Sequence, residues 1–315
     1  MTRRILITIP VDDQVKDELN KQFPDFEVST VIEDDYPEEL LLDTEVYVSF
    51  RCHKDILNKA PHVRWIQSLR SGLDGLPLDE IHKKNILLTS AQGIHKEVMT
   101  EYVMGAMILA SRNWHQMFYN QVQRKWDRMP YQGHIHEAVV GILGLGNVGR
   151  SIAKMAKQFG MKVIGTKKNY EEMEFVDEIF LPVDIGEIFK RSDYVINLIP
   201  LTDDTKGMIN GDLFRLMPSN ACFISIGRGA TINEADLTKA LQNETMRMAI
   251  LDVFEEEPLP KEHPFWDLKN VIITPHVSGS SSEYFRMAYD LFYFNLEEYV
   301  HGRFDKMRNL IQFEK

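Results

Sequence analysis

Arg228, Glu257 and His276 stand in three short polar segments, SIGRG, EEEP and TPHVSG, each just past a run of apolar residues. Their types define a chemistry. An arginine grips a carboxylate in a fixed bidentate fork and polarises a neighbouring carbonyl. A histidine passes a proton near neutral pH. A carboxylate beside the imidazole orients the ring and favours its charged form. Besides a hydride, these are the groups that interconversion of a 2-keto acid and a 2-hydroxy acid needs. Taken singly, each has an ordinary reading: a surface arginine, a solvated acidic loop over 255–257, a satisfied histidine at a turn. Their joint occurrence at strand ends, downstream of a nucleotide-binding pattern, favours the catalytic one.

The hydride source is suggested upstream. Gly144, Gly146, Asn147, Val148 and Gly149 fall in GLGNVG, a GxGxxG pattern that follows an apolar run directly and opens an amphipathic stretch. Alone the pattern is weak, but this is the context it requires. The first glycine allows a tight turn, the second lets backbone approach a pyrophosphate, and the third lets helix and strand pack closely. The helix N-terminus then offers free N–H groups to phosphate. About twenty residues on, NAD sites place an acidic residue against the ribose hydroxyls. Here the segment reads Thr166-Lys167-Lys168-Asn169, with no carboxylate before Glu171. Two lysines and a hydroxyl suit the 2′-phosphate of NADP. NADP is therefore the expected cofactor; NAD, with solvated lysines, is the alternative.

The elements that must position these residues are legible as alternating short apolar runs and amphipathic stretches. Strands are predicted at 4–9, 46–50, 63–67 and 86–89, with a helix over 13–22 and prolines 24, 37 and 61 in the connections. A long helix is predicted from 96 to about 125, followed by a loop with Pro130 and Gly133. A second alternation gives strands at 138–143, 162–165, 178–181, 194–198, 221–226, 248–252 and 271–274, a helix over 149–159, and an aromatic-rich helix over 282–301. The fold class expected is α/β: two doubly wound parallel-sheet domains, a Rossmann cofactor domain and a smaller flavodoxin-like substrate domain, with a cleft between them. The substrate-binding domain is expected to be discontinuous, 1–98 with 283–315, and the dinucleotide-binding domain to be 99–282.

Composition narrows the class. The 315 residues are 44% hydrophobic and 26% charged, with a net charge of −11, which argues for a soluble globular protein and against nucleic acid as a partner. The longest apolar stretch, near 102–110, is too short to span a bilayer, and MTRRILITIP reads as a first strand and not as a signal peptide. Cys52 and Cys222 form no CxxC pair, so no disulfide framework or metal site is expected, and a reducing, cytoplasmic setting fits.

The stretches GILGLGNVG, NLIPLTDDT, ISIGRGATINEADL, LDVFEEEPLP and TPHVSGSS, in that order, resemble the D-isomer-specific 2-hydroxyacid dehydrogenases. The resemblance runs over nearly the whole chain and is strongest from about 138 to 280. It implies that Arg228, Glu257 (the glutamate directly before Pro258) and His276 are the catalytic set, and that Asp252 contacts the nicotinamide carboxamide. It implies cofactor contacts at Pro200 and Thr205, and substrate carboxylate contacts at Ser71 and Gly72 in the loop SLRSGLD. Gly93-Ile94-His95 resembles the approach to the interdomain helix. A homodimer built around 97–131 is implied as well. Arg70 departs from the small residues usual in its loop; it reaches either a second anionic group on the substrate or solvent.

The reading is therefore an NADPH-favouring reductase of small 2-keto acids, of the glyoxylate/hydroxypyruvate type. An NAD-dependent D-lactate or 3-phosphoglycerate dehydrogenase is the enzymatic alternative. Formate dehydrogenases carry glutamine where Glu257 stands, which argues against formate. A non-catalytic dinucleotide sensor of the corepressor kind is the alternative from another class, weakened by the intact Arg228, Glu257 and His276.

Overall fold

The computed structural model describes residues 3–9, 11–32, 37–128 and 133–313; Pro130 and Tyr131, the loop and the end of the expected self-association region, lie outside them. The chain divides into two units, Met1–Ile94 with Ser282–Lys315, and His95–Ser281.

In the first unit the order is β1 (Arg3–Ile7), α1 (Asp13–Gln22), β2 (Phe26–Thr30), α2 (Glu39–Leu42), β3 (Thr44–Ser49), α3 (Lys54–Lys59), β4 (Trp65–Ser68), α4 (Leu78–Lys83) and β5 (Leu87–Thr89). In the second it is α5 (Lys96–Arg112), α6 (Trp114–Val122), β6 (Val139–Leu143), α7 (Asn147–Gln158), β7 (Lys162–Thr166), β8 (Glu178–Phe180), α8 (Ile185–Arg191), β9 (Tyr194–Asn197), α9 (Gly211–Phe214), β10 (Cys222–Ser225), α10 (Glu234–Gln242), β11 (Met248–Leu251) and β12 (Val271–Ile273). Helix α11 (Tyr284–Val300) returns to the first unit.

Both sheets are parallel among the described residues. The smaller runs β2-β1-β3-β4-β5, the flavodoxin order. The larger runs β12-β11-β10-β9-β6-β7-β8, a Rossmann order whose strand direction of progress reverses between β6 and β9. Each sheet is buried on both faces, which explains the nearly continuous apolar runs. In the smaller sheet Ile5, Ile7, Val46, Val48 and Trp65 pack with Phe292 and Leu296 of α11, while Leu6, Tyr47, Ile66 and Leu88 pack with Leu57 and Ile81. In the larger, α5 and α7 cover one face through Val103, Met107, Ile152 and Ala156, and α8 and α10 the other through Ile188, Phe189 and Leu237.

The structure departs from the sequence reading at α5–α6 and at β2. The single helix expected over 96–125 is two, because Asn113 takes a left-handed φ of 54° and its N–H caps α5 on the carbonyls of Leu109 and Ala110. Asparagine tolerates that conformation better than most residues. Helix α6 then ends at Val122, short of Lys125. Strand β2 was not expected at all: in FEVST the polar Glu27 and Ser29 interrupt the apolar run, yet Phe26 and Val28 are buried.

The return of α11 is fixed by a buried polar network. Asn295 is fully buried; its Nδ2 donates to Gln67 Oε1 (3.1 Å) and to the carbonyl of Arg308 (3.1 Å), and its Oδ1 accepts from Arg308 N (2.7 Å). Gln67 Oε1 also accepts from Thr89, whose hydroxyl oxygen accepts from the Trp65 indole (2.8 Å each). Removing Asn295 takes this partner from the Arg308 N–H and carbonyl, at about 1–3 kcal/mol each, while Gln67 Oε1 keeps Thr89. Asn295→Leu is expected to lower the unfolding free energy by about 2–4 kcal/mol in urea denaturation; a variant as stable as the parent would show that the network contributes nothing.

Candidate active site

Arg228, Glu257 and His276 follow β10, β11 and β12, three neighbouring parallel strands in register at Ser225, Leu251 and Ile273. Parallel pairing puts all three strand ends on one edge of the sheet. The loops there also touch: a methyl group on Gly229 would lie 1.9 Å from the carbonyl carbon of Phe254, so only glycine lets the Arg228 turn sit against the Glu257 loop. On that loop the Phe254 N–H donates to Glu257 Oε1 (2.9 Å). The other oxygen, Oε2, lies 2.7 Å from His276 Nδ1. A carboxylate only accepts, so Nδ1 carries the proton of this bond. The pair is accessible, with 47% of the His276 and 34% of the Glu257 side chain exposed. The Arg228 guanidinium donates to the Gly227 carbonyl (2.9 Å).

His276 itself has φ 54°, an uncommon conformation for a residue with a side chain, of order 1–3 kcal/mol above its relaxed state. Asp252 holds it there. Its backbone carbonyl accepts from His276 N (2.9 Å), and its carboxylate, with 0% exposure, takes the N–H groups of Val277 (2.9 Å) and Ser278 (2.8 Å) and the hydroxyl of Thr274 (2.5 Å). Because Thr274 donates to the carboxylate, the 2.6 Å bond between Thr274 and Tyr102 of α5 has the tyrosine as donor. Burial pushes the Tyr102 phenol up to about 12, so the donor keeps its proton. One residue further along, the Gly279 carbonyl lies 3.1 Å from His95 Nδ1, and burial holds the His95 pKa below its ordinary 6.5.

The glycine turn lies between β6 and α7. Gly144 has φ 105°, and a methyl group on Gly149 would fall 2.3 Å from the Gly144 carbonyl oxygen, so two of the three glycines are required by the fold of the turn. Gly146 is the third, and a methyl group there would meet nothing within 4 Å. Space therefore opens over the N-terminus of α7, at Asn147 and Val148, as close approach of a pyrophosphate demands. Thr166, at the end of β7, is buried and accepts from Gly144 N through Oγ1 (3.1 Å) and from Leu145 N through its carbonyl (3.0 Å), so it anchors the turn. Lys167 is half-buried and bonded to Glu171, and Lys168 is exposed. Pro200 and Thr205 form a turn past β9, where the Thr205 hydroxyl donates to the Pro200 carbonyl (2.7 Å) and accepts from Thr202 N (2.7 Å). The residues present fit a nicotinamide dinucleotide.

Ser71 and Gly72 are half-buried in the loop after β4, with the Ser71 hydroxyl on the Ala91 carbonyl (3.2 Å). Arg70 is exposed and donates to the Asp74 carbonyl (3.4 Å). Several supporting residues escaped the sequence reading. Asn197, fully buried at the end of β9, donates to Ser225 (3.1 Å) and Thr231 (3.0 Å) and accepts from Ile199 N (3.1 Å); Thr231 in turn donates to the Arg228 carbonyl (2.6 Å). Glu234 accepts from Glu255 N (2.8 Å) and pairs with His263 Nε2 (3.2 Å), bracing the Glu257 loop. An asparagine inside the apolar run YVINLI was the one available signal, since a buried amide must be paired.

Comparison with known proteins places this geometry. Residues 104–278 match the profile of the D-isomer specific 2-hydroxyacid dehydrogenase, NAD binding domain. The chain is 33% identical to the D-3-phosphoglycerate dehydrogenase of Methanocaldococcus jannaschii over 292 residues, 89% of this chain and 54% of that protein, so it spans about half the length of that relative. The crystal structure of a D-isomer specific 2-hydroxyacid dehydrogenase family protein from Aeromonas salmonicida aligns with a TM-score of 0.88 at 30% identity over 100% of both chains. An NADPH-dependent glyoxylate/hydroxypyruvate reductase from Sinorhizobium meliloti, crystallised with NADP and sulfate, aligns at 0.83 with 27% identity over 99% of this chain and 98% of that one. With more than half of its length matched by the family profile, the chain belongs to the D-isomer-specific 2-hydroxyacid dehydrogenases, which act on CH–OH groups with NAD(P).

Proposed function

We propose that the chain reduces a small 2-keto acid of the glyoxylate or hydroxypyruvate kind to its D-2-hydroxy acid, with NADPH favoured over NADH. The observation that carries the proposal is the His276 Nδ1 to Glu257 Oε2 bond of 2.7 Å at the sheet edge that also bears Arg228. A dinucleotide on the turn Gly144–Gly149, in contact with Pro200 and Thr205, supplies the hydride; Asp252, buried beneath the His276 segment, supports the site from below and does not touch the dinucleotide. Arg228 binds the substrate carboxylate and polarises the carbonyl, with Ser71 and Gly72 adding backbone contacts to the carboxylate. His276, its Nδ1 held by Glu257, delivers the proton to the carbonyl oxygen from Nε2 as negative charge develops there. Arginine and protonated imidazole are both cations facing an anionic substrate, so Glu257 also balances charge. Lys167 and Lys168 support the NADPH preference by charge. The units Met1–Ile94 with Ser282–Lys315 and His95–Ser281 then serve as substrate and dinucleotide domains. Buried, unpaired Cys52 and Cys222 suit a reducing cytoplasm, and among the described residues no helix is long and apolar enough to cross a membrane.

Loss of nicotinamide absorbance with glyoxylate, hydroxypyruvate, pyruvate and longer 2-keto acids tests this. Turnover of a small keto acid, faster with NADPH, is expected. His276→Asn should cost on the order of 10²–10⁴ in kcat, and Arg228→Lys should act on kcat/KM through the lost fork. Faster turnover with NADH would favour a lactate or phosphoglycerate type of dehydrogenase. Tight NADPH binding with no acid reduced would favour a sensor.

We also infer a homodimer. Trp114, Phe118 and Val122 lie four residues apart on one face of α6, flanked by Tyr119, and all are exposed; Trp126 just beyond is 91% exposed. Apolar surface of this kind is what a second copy of the chain covers. Sedimentation should show a dimer at micromolar concentration and a monomer for Phe118→Glu with Val122→Glu; a monomeric parent would refute the dimer.

A further inference from the structure

Arg150, Lys167 and Glu171 meet beside the end of β7. Arg150 sits on the first turn of α7, its N–H bonded to the Gly146 carbonyl (2.9 Å), and its Nη2 lies 3.0 Å from Glu171 Oε1. Lys167 Nζ is bonded to the other oxygen, Oε2. The Glu171 carboxylate therefore bridges a cation from the helix and a cation from the strand end. Lys167 first, then Arg150, holds its carboxyl below the ordinary carboxylate range. Both cations belong to the walls of the glycine turn: Lys167 directly follows Thr166, which anchors Gly144 and Leu145.

In a doubly wound domain the residues past the second strand meet the adenosine ribose. A free 2′-hydroxyl there needs an acceptor, whereas a 2′-phosphate needs cations. This rim holds both, locked to each other. The side chains are only partly covered, 52% of Arg150 and Glu171 and 21% of Lys167 being exposed, so the bridge is weak and its ends can separate. A phosphate dianion offers Arg150 and Lys167 more charge than one carboxylate, and the guanidinium can grip it with two N–H groups.

We propose that Glu171 is a built-in counter-anion that a 2′-phosphate must displace from Arg150 and Lys167, so that Glu171 and Arg150 set the preference between NADPH and NADH. This rests on the dinucleotide site proposed above. Glu171 lowers the affinity for NADPH, and Arg150 is a phosphate contact additional to Lys167 and Lys168.

Calorimetric titration of the full chain with NADPH, NADH, 2′-phospho-ADP-ribose and ADP-ribose separates the parts. Glu171→Gln should tighten both phosphorylated probes by about 3–10-fold and leave NADH and ADP-ribose unchanged or weaker. Arg150→Gln should weaken the phosphorylated probes by about 10-fold and spare the others. Equal effects on phosphorylated and unphosphorylated probes, or none on the phosphorylated pair, overturn the counter-anion while the dinucleotide site stands. Failure of the parent chain to bind any of the four overturns both.

Discussion

The candidate site depends on one buried carboxylate. Asp252 has no exposed surface, and desolvating an ion costs several kcal/mol unless donors replace water. Here three do, from Thr274, Val277 and Ser278, and all three belong to the segment that carries His276. Satisfying the charge and shaping the loop are thus the same event. The left-handed backbone of His276 persists because its neighbours on both sides are committed to Asp252, and the Tyr102 hydroxyl extends the chain of donors to α5. The aspartate expected to face a nicotinamide is instead buried, with its carboxylate turned to the segment that carries His276.

Close packing of backbone does the rest. Gly149 and Gly229 sit where any side chain would collide with a carbonyl group. One seats α7 on the glycine turn, and the other seats the Arg228 turn against Phe254. Such contacts are rigid because no side chain intervenes, and rigid loops on strand ends are what a site needs to hold reacting groups within tenths of an ångström.

Much of this was legible in the sequence, for reasons that differ by element. Strands buried on both faces announce themselves as apolar runs, so most of both sheets could be read, and GLGNVG between a strand and a helix carried its own mechanism. Strand β2 was missed because FEVST alternates, and alternation over five residues is a weak signal. The break at Asn113 was missed because Trp114, Phe118 and Val122 continue the helical period; what changes is the exposure of that face, which no period reveals. Arg228, Glu257 and His276 were readable as a set, but Asn197, Thr231, Thr274 and Glu234 act on partners distant in sequence, and local pattern holds no trace of such pairs.

Among the described residues two histidine–glutamate pairs lie near the same loop, and their geometry separates them. His263 uses both ring nitrogens: Nδ1 accepts from Phe265 N (3.3 Å), which leaves the proton on Nε2 to bond Glu234. Its side chain is 18% exposed and that of Glu234 13%, so the pair is sealed into the fold and braces Glu255. His276 spends only Nδ1, on Glu257, and among the described residues no hydrogen bond or ion pair takes Nε2. A proton donor must present one nitrogen to substrate while the other is held. Of the two pairs only the one at His276 meets that condition, and a carboxylate on the held nitrogen lets the ring lose and regain its proton without turning.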